Sequence, residues 1–226
     1  MRIRLVAANL VAVCAIWVGS QSATPTPAAI ASVCSSVTVG LDTSLANSSG
    51  GAFLGEAPGQ TFLAADTLVR SVTVWRVASE DTNYMGMHLY ITKTDSAGTP
   101  ETDQVILDGP TVYNYFGDGI HPIPFQFVME PPVVLPGPGL YAFFLREEPC
   151  SLGYFDLIGR EETSGGDIYP PGHVWLTRRS NYSGCVLKIN PNSYPLADFI
   201  FSIEFCQTTT TPTLSPTWGA LKAHYR

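Results

Sequence analysis

The feature that most constrains the fold is a two-residue alternation of apolar side chains within short segments. In residues 197–205 (ADFIFSIEF) one face would carry Phe199, Phe201, Ile203 and Phe205. Residues 85–92 (MGMHLYIT) repeat the pattern with Met85, Met87, Leu89 and Ile91. Successive side chains of a strand point to opposite faces, so this period is typical of strands with one buried face.

Short runs of the same kind fill the rest of the chain, and clusters of Gly, Pro, Asn and Asp such as NSSGG, LPGPG and NPNS separate them. Such clusters set turns, and no run between them has a helical apolar stripe. The runs are residues 36–40, 60–64, 68–77, 104–107, 124–129, 140–146, 152–157, 173–178 and 185–189. The sequence therefore predicts one all-β domain over residues 34–206, an antiparallel two-sheet β-sandwich of jelly-roll type.

The N-terminus has the pattern of a secretory signal peptide. A short basic segment precedes a largely apolar run of fourteen residues, LVAANLVAVCAIWV, and small polar residues follow. The apolar run is shorter than the roughly 20 residues that a membrane-spanning helix needs. We expect a signal peptide over residues 1–23, with cleavage between residues 20 and 31, and a secreted or cell-surface protein with no membrane span in the mature chain.

Charge argues against one class of partner. The chain has 12 basic and 19 acidic residues, a formal net charge of −7, and no cluster of Lys or Arg. Nucleic-acid binding needs cations that displace phosphate counterions. We therefore expect no nucleic-acid partner.

Four cysteines remain after signal removal: Cys34, Cys150, Cys185 and Cys206. An even number in an exported chain predicts two disulfides, which three pairings would allow. We favour Cys34–Cys206 and Cys150–Cys185, because the first pair brackets the folded region and the first and last strands of a sandwich are often neighbours.

The order of several blocks resembles a group of bacterial exported β-sandwich domains that includes the choice-of-anchor modules. These blocks are GQTFLAADTLVRSVTVW, MHLYITKTDSAGTP, FQFVMEPPVVLPGPGLYAFFL, GGDIYPPG and ADFIFSIEF, within residues 56–205. The resemblance implies a β-sandwich at the cell surface, similar in shape to carbohydrate-binding modules. It implies no catalytic residues, and the YPPG turn departs from the Gly-Gly form of that group.

Exposed aromatic side chains that stack on sugar rings are the first candidate site. Tyr169 begins the YPPG turn, Trp175 follows it, and the two are predicted to form a platform. Tyr113, Tyr115 and Asp118 lie in a second loop-like segment and are predicted to contact the same ligand. Tyr154, Tyr182 and Tyr194 are further aromatic candidates. Burial in the core is the alternative for each residue, because aromatic residues are ordinary strand formers.

A structural Ca²⁺ is a second candidate feature, since hard cations bind carboxylate oxygens. Asp198 precedes the last core strand, and we predict it to bind the ion with Glu56 or Asp66. Asp156 and Asp167 are further candidates. Turn aspartates that cap their own backbone are the alternative.

The sequence contains no GxSxG, HExxH or P-loop motif. The acidic doublets Glu147-Glu148 and Glu161-Glu162 are candidates for glycosidase carboxylates, but that reaction needs two carboxyl groups facing one sugar. Neighbours on a strand face opposite sides, so solvated turn charge is the better interpretation of both doublets. We expect a protein that is not an enzyme, and a glycoside hydrolase is the last alternative.

The chain ends with a Thr/Pro linker, residues 207–216, and a tail, TWGALKAHYR, over residues 217–226. The tail resembles short endings of some bacterial exported proteins and is predicted to be read by export or sorting machinery. A chain end without a partner is the alternative. The function predicted is a secreted, non-catalytic module that binds a polysaccharide or a cell-surface protein, and a structural surface component without a small ligand is the second hypothesis.

Overall fold

The computed structural model describes residues 36–52, 56–80, 86–114, 117–148, 155–162, 166–177, 187 and 191–206. All of them belong to one unit, Ser32–Arg226. The predicted signal peptide, linker and tail lie outside the described residues. Within the described part of the chain, no helix is long and apolar enough to span a membrane.

Thirteen strands and one 3-10 helix, Thr43–Leu45, make up the described secondary structure. The strands are β1 Ser36–Gly40, β2 Ser48–Ala52, β3 Ala57–Ala64, β4 Leu68–Arg76, β5 Gly86–Thr94, β6 Pro100–Tyr113, β7 Ile123–Val134, β8 Gly139–Glu148, β9 Phe155–Glu161, β10 Val174–Thr177, β11 Asn192–Tyr194, β12 Ala197–Phe199 and β13 Phe201–Cys206.

The strands form two antiparallel sheets. The seven-stranded sheet has the order β1-β13-β4-β9-β12, with β2 beside β9 and β7 beside β4. The six-stranded sheet has the order β11-β10-β3-β8-β5-β6. The predicted all-β, antiparallel two-sheet sandwich is confirmed, and the first and last strands are neighbours, with Ser36 opposite Cys206.

The core lies between the two sheets and is rich in phenylalanine. Phe143 of β8 lies 5.6 Å from Phe201 of β13 and 6.4 Å from Phe62 of β3, measured between ring centroids. All three side chains are fully buried. The apolar face predicted from the alternation in residues 85–92 and 197–205 is therefore the core face wherever it is described.

The opposite face of the six-stranded sheet is also apolar. Phe144 and Trp175 follow the core residues Phe143 and Val174, so they point away from the core. With Tyr90 they form a second buried cluster. Both faces of this sheet are thus buried in part, and alternation alone does not predict which aromatic side chains are exposed.

Two predicted turns are strands. Residues 47–51 (NSSGG) contain most of β2, and residues 190–193 (NPNS) lead into β11. Glycine and asparagine are poor strand formers, so neither strand has a propensity signal. The long run 197–205 is divided at Ile200 into β12 and β13, and only Leu187 of the predicted strand 185–189 is described.

Of the four cysteines predicted to form disulfides, one lies within the described residues. Cys206 is fully buried at the end of β13 and takes part in a disulfide. Cys34, Cys150 and Cys185 lie outside the described residues, so the pairing stays a prediction.

Candidate functional site

A cleft opens between the two sheets along one side of the sandwich. Strands β2, β9 and β12 form its wall in one sheet, and β3, β10 and β11 form its wall in the other. Its volume is about 360 Å³, which lies in the range of small-molecule sites. The described residues that line it are Ser48, Ser49, Gly50, Glu56, Pro58, Gly159, Glu161, Val174, Leu176, Tyr194, Ala197, Asp198 and Phe199.

Glycines in β2 and β9 allow the strands of one cleft wall to pack closely. Strands β2 and β12 both pair with β9 and meet at Gly159. A Cβ at Gly159 would lie 2.9 Å from the carbonyl oxygen of Asp198, and a Cβ at Gly50 would lie 3.3 Å from the Phe199 ring. The glycines therefore allow the close packing of β2, β9 and β12 that places Asp198 in the cleft wall.

Asp198 is held by a side-chain bridge between the sheets. Its Oδ1 accepts a hydrogen bond of 2.8 Å from Nε2 of Gln60, whose Oε1 accepts one of 3.0 Å from the Phe199 amide. Asp198 is 3% exposed and Gln60 is fully buried. Burial raises the pKa of Asp198 to about 7 against the lowering effect of the Gln60 hydrogen bond, and the charges of Asp167 and Glu162 raise it further. The carboxyl group therefore changes charge near neutral pH.

Asp198 also belongs to a group of three carboxylates. One oxygen each of Glu162, Asp167 and Asp198 lies within 4.8 Å of the others. Glu162 accepts a hydrogen bond from the Ile168 amide, and Asp167 accepts one of 2.8 Å from the Tyr169 amide. These bonds hold Glu162 and Asp167 in place beside Asp198.

The three-carboxylate group differs in membership from the predicted calcium ligands. Glu56 lines the cleft but is not part of the three-carboxylate group, and neither is Asp156. Asp66 accepts a hydrogen bond of 2.6 Å from the Thr67 amide, the local backbone contact given as the alternative. Of the predicted residues, Asp198 and Asp167 are brought together, and Glu162 joins them because β12 pairs with the end of β9.

Calcium binding stays a prediction, and it has a direct thermal test. If the three carboxylates bind Ca²⁺, free calcium at ten times Kd should add about 1.4 kcal/mol, which raises Tm by roughly 3–6 °C relative to EDTA. Asp167→Asn should abolish the increase, whereas Asp66→Asn should retain it. A Tm that does not differ between calcium and EDTA would contradict the prediction.

The predicted aromatic platform is wrong. Tyr169 is 8% exposed, its ring packs edge-on against Phe201 at 5.2 Å, and its hydroxyl accepts a hydrogen bond from the Leu63 amide. Trp175 is 7% exposed and lies in the second cluster, stacked on the His173 ring. The two rings are buried on opposite faces of the six-stranded sheet, so they do not form one exposed surface.

The second predicted aromatic segment lies at the opposite edge of the sheet from the cleft. Tyr113 ends the edge strand β6 and is 46% exposed. Asp118 accepts hydrogen bonds from the amides of Ile120 and His121, and the bond from the His121 ring holds its pKa well below its usual range. Asp118 thus stabilises its own loop, and Tyr115 lies outside the described residues.

The structure places neither acidic doublet in a fully solvated turn, in contrast to the interpretation from the sequence. Glu147 is fully buried near the end of β8. Glu161 is exposed and lines the cleft, whereas Glu162 is half-buried in the three-carboxylate group. Neighbouring residues do face opposite sides, but the sheet places Glu161 in one cleft with Glu56 and Asp198.

A polar network ties the edge strand β6 to β5. The His88 ring has its Nδ1 2.7 Å from the Thr111 hydroxyl and its Nε2 2.6 Å from an Asp108 oxygen. The Asp108 side chain is 71% exposed, and none of the three residues lines the cleft. This network crosses an irregular stretch of the β5–β6 ladder, so its evident role is to stabilise that pairing.

Tyr194 is an aromatic candidate whose position at the cleft could not be predicted from the sequence. It ends β11 opposite Val174, is 38% exposed and lies at the cleft. Its place beside the cleft sets it apart from the other aromatic candidates. That place depends on strand β11, which has no propensity signal in the sequence.

No protein-family model matches this sequence, and no curated protein is significantly similar to it.

Proposed function

We propose that this chain is a secreted, non-catalytic β-sandwich module that binds a glycan in the cleft between its sheets. The observation that carries the proposal is the composition of that cleft. Tyr194 offers an aromatic face, Pro58 and Leu176 offer apolar walls, and Glu161 offers carboxylate oxygens. Apolar sugar faces pack on aromatic rings, and sugar hydroxyls donate hydrogen bonds to carboxylates.

Secretion is supported by the signal-like N-terminus and by the disulfide at Cys206, since disulfides persist in oxidising compartments. The resemblance to exported sandwich modules agrees with a cell-surface location. In this proposal the C-terminal tail is read by export or sorting machinery.

The test is affinity electrophoresis of the mature chain in gels that contain a panel of soluble polysaccharides. We expect retardation by at least one polymer, and Tyr194→Ala should weaken it roughly tenfold, the effect of losing about 1.4 kcal/mol of ring contact. Val134→Ala is the matched control, because Val134 is 67% exposed and does not line the cleft. Absence of retardation by every polymer would favour a structural surface component instead.

A second candidate function is glycoside hydrolysis, and the carboxyl groups of the cleft favour it. Asp198 has a pKa near 7, and Glu56 and Glu161 line the same cleft. A glycosidase pairs a carboxylic acid of raised pKa with an ionised carboxylate. Release of reducing ends from a retained polymer, abolished by Asp198→Asn, would replace the binding role with this one.

A further inference from the structure

The cleft carries acidic residues without basic ones. Glu56, Glu161 and Asp198 line it, and no Lys or Arg occurs among the described lining residues. Glu162 and Asp167 add two carboxylates next to Asp198. A cleft lined by one sign of charge between low-dielectric walls concentrates the opposite sign. Its occupant is therefore expected to be cationic.

Asp198 adds a buried carboxyl group to the cleft. The residue is 3% exposed, and its carboxyl group accepts one hydrogen bond from the described residues, donated by Gln60. None of the ion pairs found in the described part of the chain involves Asp198, Glu56 or Glu161. A buried carboxylate without a countercharge is costly, so a bound cation would stabilise it.

The walls restrict what kind of cation fits. Pro58, Val174 and Leu176 line the cleft with carbon atoms, and Tyr194 adds an exposed ring. A metal ion at the three-carboxylate group would bind oxygen ligands and would leave these apolar walls uncovered. A lysine side chain is a flexible stem that loses rotamer entropy when bound. A rigid sugar ring that bears an ammonium group presents a flat apolar face and a positive charge together.

We propose that the cleft binds a glycan with free amino groups, a polymer of glucosamine-type residues, whose rings pack on Tyr194 while their ammonium groups pair with Glu161 and Asp198. This inference rests on the proposed function and narrows its ligand to one chemical class. Each ammonium donates to a carboxylate in a charge-assisted hydrogen bond, which is stronger than a neutral one.

The test is calorimetric titration of the full mature chain with two hexasaccharides of the same linkage, glucosamine and N-acetylglucosamine. Acetylation removes the charge and leaves the ring. We expect the glucosamine hexamer to bind at least tenfold more tightly and to lose affinity with rising salt. Glu161→Gln should weaken its binding roughly fivefold to tenfold and weaken binding of the acetylated hexamer less, because the Gln oxygen still accepts a hydrogen bond from a hydroxyl but lacks the charge that attracts an ammonium group.

Two controls separate a site from general attraction between a polycation and an acidic protein. Asp103→Asn removes an exposed charge on the edge strand β6, far along the sheet from the cleft, and should leave binding unchanged. Tyr194→Ala leaves the charge intact and should weaken binding. If Asp103→Asn weakens binding as much as Glu161→Gln, attraction is diffuse and the inference is overturned.

The remaining outcomes distinguish this inference from the proposed function. Equal or tighter binding of the acetylated hexamer, or retention only by a neutral glucan, overturns the amino-sugar inference and keeps glycan binding. Binding of a lysine-rich peptide without any glycan overturns both in favour of a protein partner. No binding to any polysaccharide also overturns both.

Discussion

Replacing Phe201 with alanine should destabilise the protein by about 3–5 kcal/mol, the cost of a large cavity in a packed core. Phe201 is fully buried at the start of β13, and its ring contacts Phe143 at 5.6 Å and Tyr169 at 5.2 Å. These neighbours belong to the other sheet and to the β9–β10 loop, so the cavity would open where three parts of the fold meet. Urea unfolding followed by tryptophan fluorescence measures the difference.

Val134→Ala is the matched control for this change, because Val134 is 67% exposed. We expect it to alter the free energy of unfolding by about 0.5 kcal/mol or less, as is usual at the surface. Phe201→Leu should fall between the two variants. A loss below about 1 kcal/mol for Phe201→Ala would show that the two sheets do not pack through this ring.

The second large effect concerns Asp198 and pH. Its pKa is about 7 in the folded protein, compared with about 3.9 for an unfolded aspartate. The folded state therefore binds the proton more tightly, and the contribution of Asp198 to stability falls as pH rises from about 4 to about 7. Asp198→Asn removes this penalty and can still accept the hydrogen bond from Gln60. Relative to wild type, it should become more stable between pH 4.5 and pH 8, by roughly 2–4 kcal/mol.

The measurement is urea unfolding of wild type and Asp198→Asn at both pH values in EDTA. Comparing the two proteins at each pH cancels the titration of distant carboxyl groups. Glu162 and Asp167 face Asp198 and are the groups that change its charge environment. Asp167→Asn alone should reduce the pH effect without removing it. A stability difference that is the same at pH 4.5 and pH 8 contradicts a buried carboxyl with a raised pKa.

Most of the fold follows from residue periodicity. Successive side chains of a strand point to opposite faces of its sheet, so a strand that packs one face on the core carries an apolar residue at every second position. The exceptions have physical reasons. Strand β2 is rich in Ser and Gly and stays in place through pairing with β9, from Ser48 opposite Gly159 to Ala52 opposite Phe155. A tertiary partner of this kind leaves no mark in local propensity.

Fewer features of the candidate site than of the fold could be predicted from the sequence. Gln60 and Asp198 are separated by 138 positions, and the pairing of β12 with the end of β9 is what brings Asp198 to Glu162. The aromatic prediction failed for a different reason. It assumed that aromatic residues near a turn are exposed, whereas Trp175 is covered on the outer face of a sheet that buries both sides.

The most direct test of ligand binding between the sheets is a crystal structure of the mature protein grown with the glucosamine hexamer. The expected result is a sugar ring packed on Tyr194, with an ammonium group within hydrogen-bonding distance of Glu161 or Asp198. A saccharide bound at the β6 edge near Tyr113, with the cleft free of sugar in the same crystal, would contradict the account.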